Sequence, residues 1–170
     1  DVTPKIDALL GRLHELGIPG VAVGVAVGGV PVYRRAAGLA SMDLPVNLTP
    51  HMRMRIYSIT KQFTCFAYLL LCEDGLAGID DPLRKHFPEF DPSVEAVTMR
   101  DLLTNCSGLR DAFALSYQLA GTDWFAPSDA IAALYGGISE QEDAPGRRWL
   151  YNSGGYILIG QAIERITGQS

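Results

Sequence analysis

The sequence predicts an α+β domain, and three observations carry that reading. An amphipathic helical pattern comes first, two β-rich runs follow it directly, and every later element is a helix or a loop. With 170 residues, 48% of them hydrophobic and 19% charged, the chain has enough apolar side chains for one globular domain with its own core.

The elements can be justified in order. Thr3-Pro4, followed by Ile6, Leu9, Leu10, Leu13 and Leu16, reads as a helix capped by Thr3, opened by Pro4 and stopped by Gly17. Residues 20–27 and 32–39 are rich in β-formers and flank Gly28-Gly29-Val30-Pro31, a hairpin signal. These glycines precede no Gly-Lys-Ser/Thr and open no helix, so they read as close packing and turning of strands rather than a phosphate loop. A turn-rich stretch over 41–50 leads to a strongly apolar helix that begins near Ser58 and stops near Gly75. Because residues 62–72 are apolar on nearly every side, this helix is expected to be buried. Asp80-Asp81-Pro82 opens a helical turn, and its two carboxylates read as turn and cap residues. Thr98-Met99-Arg100-Asp101 has the form of a capping box. Ser128-Asp129 opens a helix ending at Gly136-Gly137, and Tyr156, Ile159, Ala162, Ile163 and Ile166 stripe a last helix from about Gly155 to Gly168. A lone two-stranded hairpin is marginal in water, so its sheet is expected to have further strands beyond residue 170.

Composition excludes several functions. A net charge of −5 and a pI near 5.1 speak against nucleic-acid binding, and no apolar run is long enough to span a bilayer. The odd cysteine count (Cys65, Cys72, Cys106) implies no complete disulfide framework. Cys65 and Cys72 read as small core residues, and Cys106 has no His or Asn motif to make it a nucleophile. His14, His51 and His86 are isolated and lack metal-ligand spacing, so no metal or other cofactor is expected. Gly-x-Ser-x-Gly is absent.

Ser58-Ile59-Thr60-Lys61 carries the chemistry. Residues three apart on a helix share a face, so Ser58 and Lys61 can meet. A serine hydroxyl needs a neighbour to take its proton, and burying a lysine disfavours its ammonium, as a lysine base requires. With nine serines and three lysines in the chain, chance alone supplies such a tetrapeptide easily, so a second signal is needed. Tyr151-Asn152-Ser153-Gly154-Gly155 provides it by placing a phenol on a tight loop before an apolar helix. A phenol beside an ammonium is stabilised when ionised and can shuttle a proton, although Tyr151 packed on a helix start capped by Asn152 or Ser153 is the plainer alternative.

These segments, with Leu102-Leu103-Thr104-Asn105-Cys106-Ser107-Gly108-Leu109 between them, resemble in order and spacing the serine β-lactamase-related hydrolases. That family holds class C β-lactamases, penicillin-binding DD-peptidases, esterases and D-aminopeptidases. Ser58-Ile-Thr-Lys61-Gln-Phe-Thr-Cys65 and Asn105-x-Ser-Gly-Leu-Arg-Asp111 look closest to the bacterial D-aminopeptidases. The resemblance implies an α/β (α+β) serine β-lactamase/transpeptidase fold, a helical region beside an antiparallel sheet, of which residues 1–170 form the N-terminal portion. It implies Ser58 as acyl-forming nucleophile, Lys61 as its base partner and Tyr151 as general acid/base, with the Ser58 backbone N–H as one half of an oxyanion hole. The family commonly shows Tyr-x-Asn where this chain reads Tyr151-Asn152-Ser153, so the substrate-amide contact falls to Asn152 or to Ser153. The Lys/His-x-Gly strand of the family is expected after residue 170. The implied activity is serine hydrolysis of small amides, peptides or esters, with N-terminal D-amino-acid peptides first. β-Lactamase, DD-carboxypeptidase and esterase activity, or a penicillin-binding sensor that acylates without turnover, are the alternatives. The expected partners are a small-molecule or short peptide substrate, and either a second chain supplying the remaining strands or further copies in a homo-oligomer. The expected compartment is the cytoplasm, or the periplasm or exterior if the chain is a mature form.

Overall fold

The computed structural model describes residues 3–17, 19–120, 127–137 and 141–169. The chain divides into two compact units, Asp1–Arg55 and Ile56–Ser170.

In the first unit, helix α1 (Thr3–Glu15) is followed by strands β1 (Gly20–Val27) and β2 (Val30–Gly38), paired antiparallel. Gly17 follows α1 in the left-handed region, at φ +71°, as its stop position requires. The hairpin turn is tighter than the sequence suggests. Gly28 and Gly29 alone form it, both at positive φ (+55° and +79°), and the second strand starts at Val30 instead of Val32. Two left-handed residues match the right-handed twist of the flanking strands, which is why a glycine pair suffices. The register slips between Val25, opposite Tyr33, and Ala26, opposite Pro31, so Pro31 sits beside an irregularity that tolerates its missing N–H. Tyr33 is buried and donates to Asp7 Oδ1 at 2.6 Å, tying β2 to α1.

The second unit is helical. A 3₁₀ turn (Tyr57–Ile59) runs into α2 (Thr60–Glu73), then come α3 (Leu83–His86), α4 (Met99–Leu103), α5 (Ala112–Ala120), α6 (Ser128–Gly137) and α7 (Ser153–Thr167). α7 is the centre, with α2, α4, α5 and α6 packed around it. Its Leu158, Ile159 and Ala162 are fully buried among Tyr68, Leu83, Phe87, Met99, Leu102 and Ile131. The capping box on α4 forms: Thr98 Oγ1 accepts from Asp101 N, and Asp101 accepts from Thr98 N at 2.9 Å. Asp81 accepts from Gly78 N at 2.7 Å and from Lys85 at 2.8 Å, and Asp80 pairs with Arg100, so both carboxylates serve the turn and its neighbours. α7 begins at Ser153, two residues earlier than its apolar stripe indicates, and Gly168 ends it at φ +68°.

α2 departs from the expectation of a buried helix. Of its residues only Tyr68 and Leu71 are buried, while Phe63, Phe66 and Leu70 are about 60% exposed. The helix is apolar all round, yet the described residues of its unit cover the side that meets α7. Among the described residues no helix is long and apolar enough to cross a membrane.

Candidate active site

The two helix starts of the second unit converge at one end of α7. Ser58 lies in the 3₁₀ turn and Lys61 in the first turn of α2, so the lysine folds back to place Nζ 3.3 Å from Ser58 Oγ. The residue before the serine is strained. Tyr57 sits at φ +46°, a left-handed conformation that costs a non-glycine residue about 1–3 kcal/mol. On the other side, Tyr151 Oη donates to Ser58 Oγ at 2.6 Å across 93 residues of sequence. Lys61 Nζ also stands 4.7 Å from the Tyr151 ring centroid and 5.3 Å from that of Tyr156.

Electrostatics separates these two tyrosines. Hydrogen bonding to the Lys61 ammonium, and then to Ser58, holds the Tyr151 phenol below its ordinary value. Burial pushes the Tyr156 phenol up, and its hydroxyl donates to Leu103 O at 2.7 Å. The two neighbouring phenols are thus shifted in opposite directions, one by a cation and the other by burial.

The two polar residues of the Tyr151-Asn152-Ser153 loop turn in different directions. Asn152 is 4% exposed and turns inward as the N-cap of α7. Its Oδ1 accepts from Gly155 N at 2.8 Å and from Tyr135 Oη at 3.1 Å, and its Nδ2 donates to Leu109 O at 2.8 Å. Both ends of its amide are thus engaged within the protein, whereas Ser153 lines the cleft. Lys61 Nζ donates to Ser153 Oγ at 3.3 Å. The cleft, about 350 Å³, is bounded on its polar side by Ser58, Lys61 and Ser153 and on its apolar side by Phe113, Tyr156 and Ile157.

Sequence reasoning passed over the residues that hold this loop. Asn105, at φ +57°, accepts from Asn152 N through Oδ1 at 3.0 Å and from Leu150 N through its backbone carbonyl at 2.8 Å. Asp111 accepts from Ser153 N at 3.0 Å and Gly154 N at 2.9 Å. Both belong to the 102–111 segment, which looks like a helix end and a glycine turn; its resemblance to the family's segment between the Ser-Lys and Tyr segments was the available signal. Cys106 is half-buried, with Sγ 3.5 Å from Thr104 O. His86 is buried against Tyr68, whose hydroxyl lies 3.2 Å from Nε2, and no group of three or more potential metal ligands occurs among the described residues.

The family model described as "Beta-lactamase" matches residues 6–170. This chain belongs to the β-lactamase family. A D-aminopeptidase of Brucella canis is 36% identical over 153 residues, and one of Brucella anthropi is 37% identical over 155; each match covers 89% of this chain and 29% of the relative. Among solved structures, the octameric penicillin-binding protein homologue from Pyrococcus abyssi superposes with a TM-score of 0.80 at 29% identity, covering 100% of this chain and 40% of that one. The D-amino acid amidase from Ochrobactrum anthropi, solved with L-phenylalanine, gives 0.82 at 25% identity, covering 98% and 45%. The fold is therefore that of the β-lactamases and penicillin-binding proteins, and the chain spans under a third of the length of these D-aminopeptidases.

Proposed function

We propose that this family member is a serine hydrolase working through an acyl-enzyme, with Ser58 as nucleophile. The observation that carries the reading is the contact of Ser58 Oγ with both Tyr151 Oη at 2.6 Å and Lys61 Nζ at 3.3 Å. With the phenol ionised beside the lysine ammonium, the 2.6 Å contact runs in the catalytic direction. Ser58 gives its proton to the Tyr151 oxygen as Oγ attacks the substrate carbonyl, and the phenol then protonates the leaving amine or alcohol. In the second half the same oxygen takes a proton from water as the water attacks the acyl carbon, and it passes that proton to Ser58 Oγ as the acyl–Oγ bond breaks. Lys61, expected from the resemblance to be the base partner, serves in this scheme as the ammonium that holds the phenol below its ordinary value. No metal or other cofactor takes part in this scheme.

The substrates are small amides, peptides or esters, and peptides or amides with an N-terminal D-amino acid come first because the D-aminopeptidases are 36–37% identical over nine tenths of this chain. In the full-length protein, Ser58→Ala abolishes covalent labelling by a fluorophosphonate probe; label remaining at another residue would remove Ser58 from the mechanism. Hydrolysis rates for D-alanyl amides, a chromogenic cephalosporin and p-nitrophenyl esters rank the substrate classes. Faster turnover of the cephalosporin or the esters than of D-alanyl amides displaces the aminopeptidase reading.

A further inference from the structure

One carboxylate joins the two helix starts that flank Ser153. Asp111 Oδ1 accepts from Phe113 N at 3.0 Å and Ala114 N at 3.3 Å, which is an ordinary N-terminal bond set for α5. The same oxygen accepts from Gly154 N at 2.9 Å, and Oδ2 accepts from Ser153 N at 3.0 Å. A cap needs only its own helix. By serving two helices, this side chain makes the placement of the α7 start depend on the α5 start.

The division of labour at α7 supports a special purpose. Asn152 takes the Gly155 N–H, and Asp111 takes those of Ser153 and Gly154, so the first three backbone donors of the helix are all satisfied by side chains. The approach is close enough to demand glycine at 154, where a Cβ would stand 3.1 Å from Asp111 Oδ1 and collide with the Tyr135 hydroxyl. A serine hydroxyl sits one carbon from the backbone, so holding the Ser153 N–H also holds its Oγ. That oxygen accepts from Lys61 Nζ at 3.3 Å, the same distance that separates Nζ from Ser58 Oγ.

We propose that Asp111 is a positioning residue that acts on Lys61 through Ser153. It fixes the turn that carries Ser153, and the Ser153 hydroxyl in turn keeps the ammonium between Ser58 and Tyr151. This rests on the reading of Ser58, Lys61 and Tyr151 as the reacting groups. A lysine has several rotatable bonds, and a reacting group misplaced by an ångström loses about 100-fold in rate.

The test is a double-mutant cycle in the full-length protein, measuring single-turnover acylation by a p-nitrophenyl ester together with its pH profile. Ser153→Ala leaves the backbone bonds to Asp111 in place. It is expected to slow acylation about 10- to 100-fold with KM changed by less than about twofold, and to displace the acidic limb of kcat/KM. Ser153→Thr, which keeps the hydroxyl, restores most of the rate. Asp111→Asn produces a similar loss, and the double variant is no slower than Asp111→Asn alone, since coupled residues are non-additive. Should Asp111→Asn fail to fold, Asp111→Glu, which moves the carboxylate by one methylene, takes its place in the cycle. Wild-type rates in Ser153→Ala, or losses that multiply in the double variant, overturn the proposal. Ser58→Ala separates the two levels. A silent Ser58→Ala with multiplying losses overturns this inference alone, whereas labelling that survives it removes the reading of the site and this inference together.

Discussion

The start of α2 and the start of α7 face each other across the cleft and are built in opposite ways. Neither the 3₁₀ turn holding Ser58 nor α2 itself has a side-chain cap, and the turn is entered through a strained Tyr57. α7 begins with Asn152 and Asp111 together taking its first three N–H groups, in a setting that admits only glycine at 154. Both ends carry a residue of the site. The difference teaches where rigidity is needed. In the proposed mechanism Ser58 stays accessible to a substrate, which its open surroundings allow, whereas Tyr151 is aimed at a fixed point, which the pinned elements behind it allow.

Three experiments break or sharpen that contrast. The largest effect is expected from Tyr151→Phe in the full-length protein: kcat falls by about 10²- to 10⁴-fold, the usual range for a lost general acid/base. Because Tyr151 is 43% exposed, its unfolding midpoint stays at the parent value, which thermal denaturation checks. A shifted midpoint would show that the phenol is also part of the pinning. Next comes Asn152→Ala, which removes a helix cap and leaves buried Leu109 O and Tyr135 Oη short of a partner. The expected loss is about 2–3 kcal/mol, read from the midpoint of urea unfolding. A loss below about 1 kcal/mol would mean that Asp111 alone holds the α7 start. The smallest is a shift in pH dependence. In the proposed mechanism Tyr151 acts as base in its ionised form, so activity is expected to rise with pH through the pKa of the phenol and to be lost as pH falls below it. Lys61 lowers that pKa, so Lys61→Met is expected to move the acidic limb of kcat/KM upward, toward the ordinary phenol value of 10.0. A limb that does not move would place its control elsewhere.

Local physics made much of this legible. The Ser58–Lys61 contact follows from i,i+3 spacing, the α4 start from a capping box, and the ends of α2 and α7 from Gly75 and Gly168. The hairpin was visible too, although its two-residue turn was hidden because Val30-Pro31 can be read as turn or as strand. Asn105, Asp111 and Tyr135 were not legible as site residues. Each looks like an ordinary loop or helix residue, and its role exists only because α7 begins 17 to 47 positions away and lands against it. The burial of α2 was misjudged for a related reason: an apolar surface shows that a helix seeks cover, and carries no record of which segment supplies it.

By itself, then, the sequence determined the pairs that one helical turn can join and the starts and stops that single residues can impose, because those depend on backbone geometry within a few positions. It also carried the Ser, Lys and Tyr segments by which the family is recognised. Only the tertiary structure decided that Tyr151 reaches Ser58, that Asn152 turns inward while Ser153 faces Lys61, and that Asp111 clamps the turn between them. Those contacts join residues 42 to 93 positions apart, and their geometry is set by how α2, α5 and α7 pack rather than by any local preference.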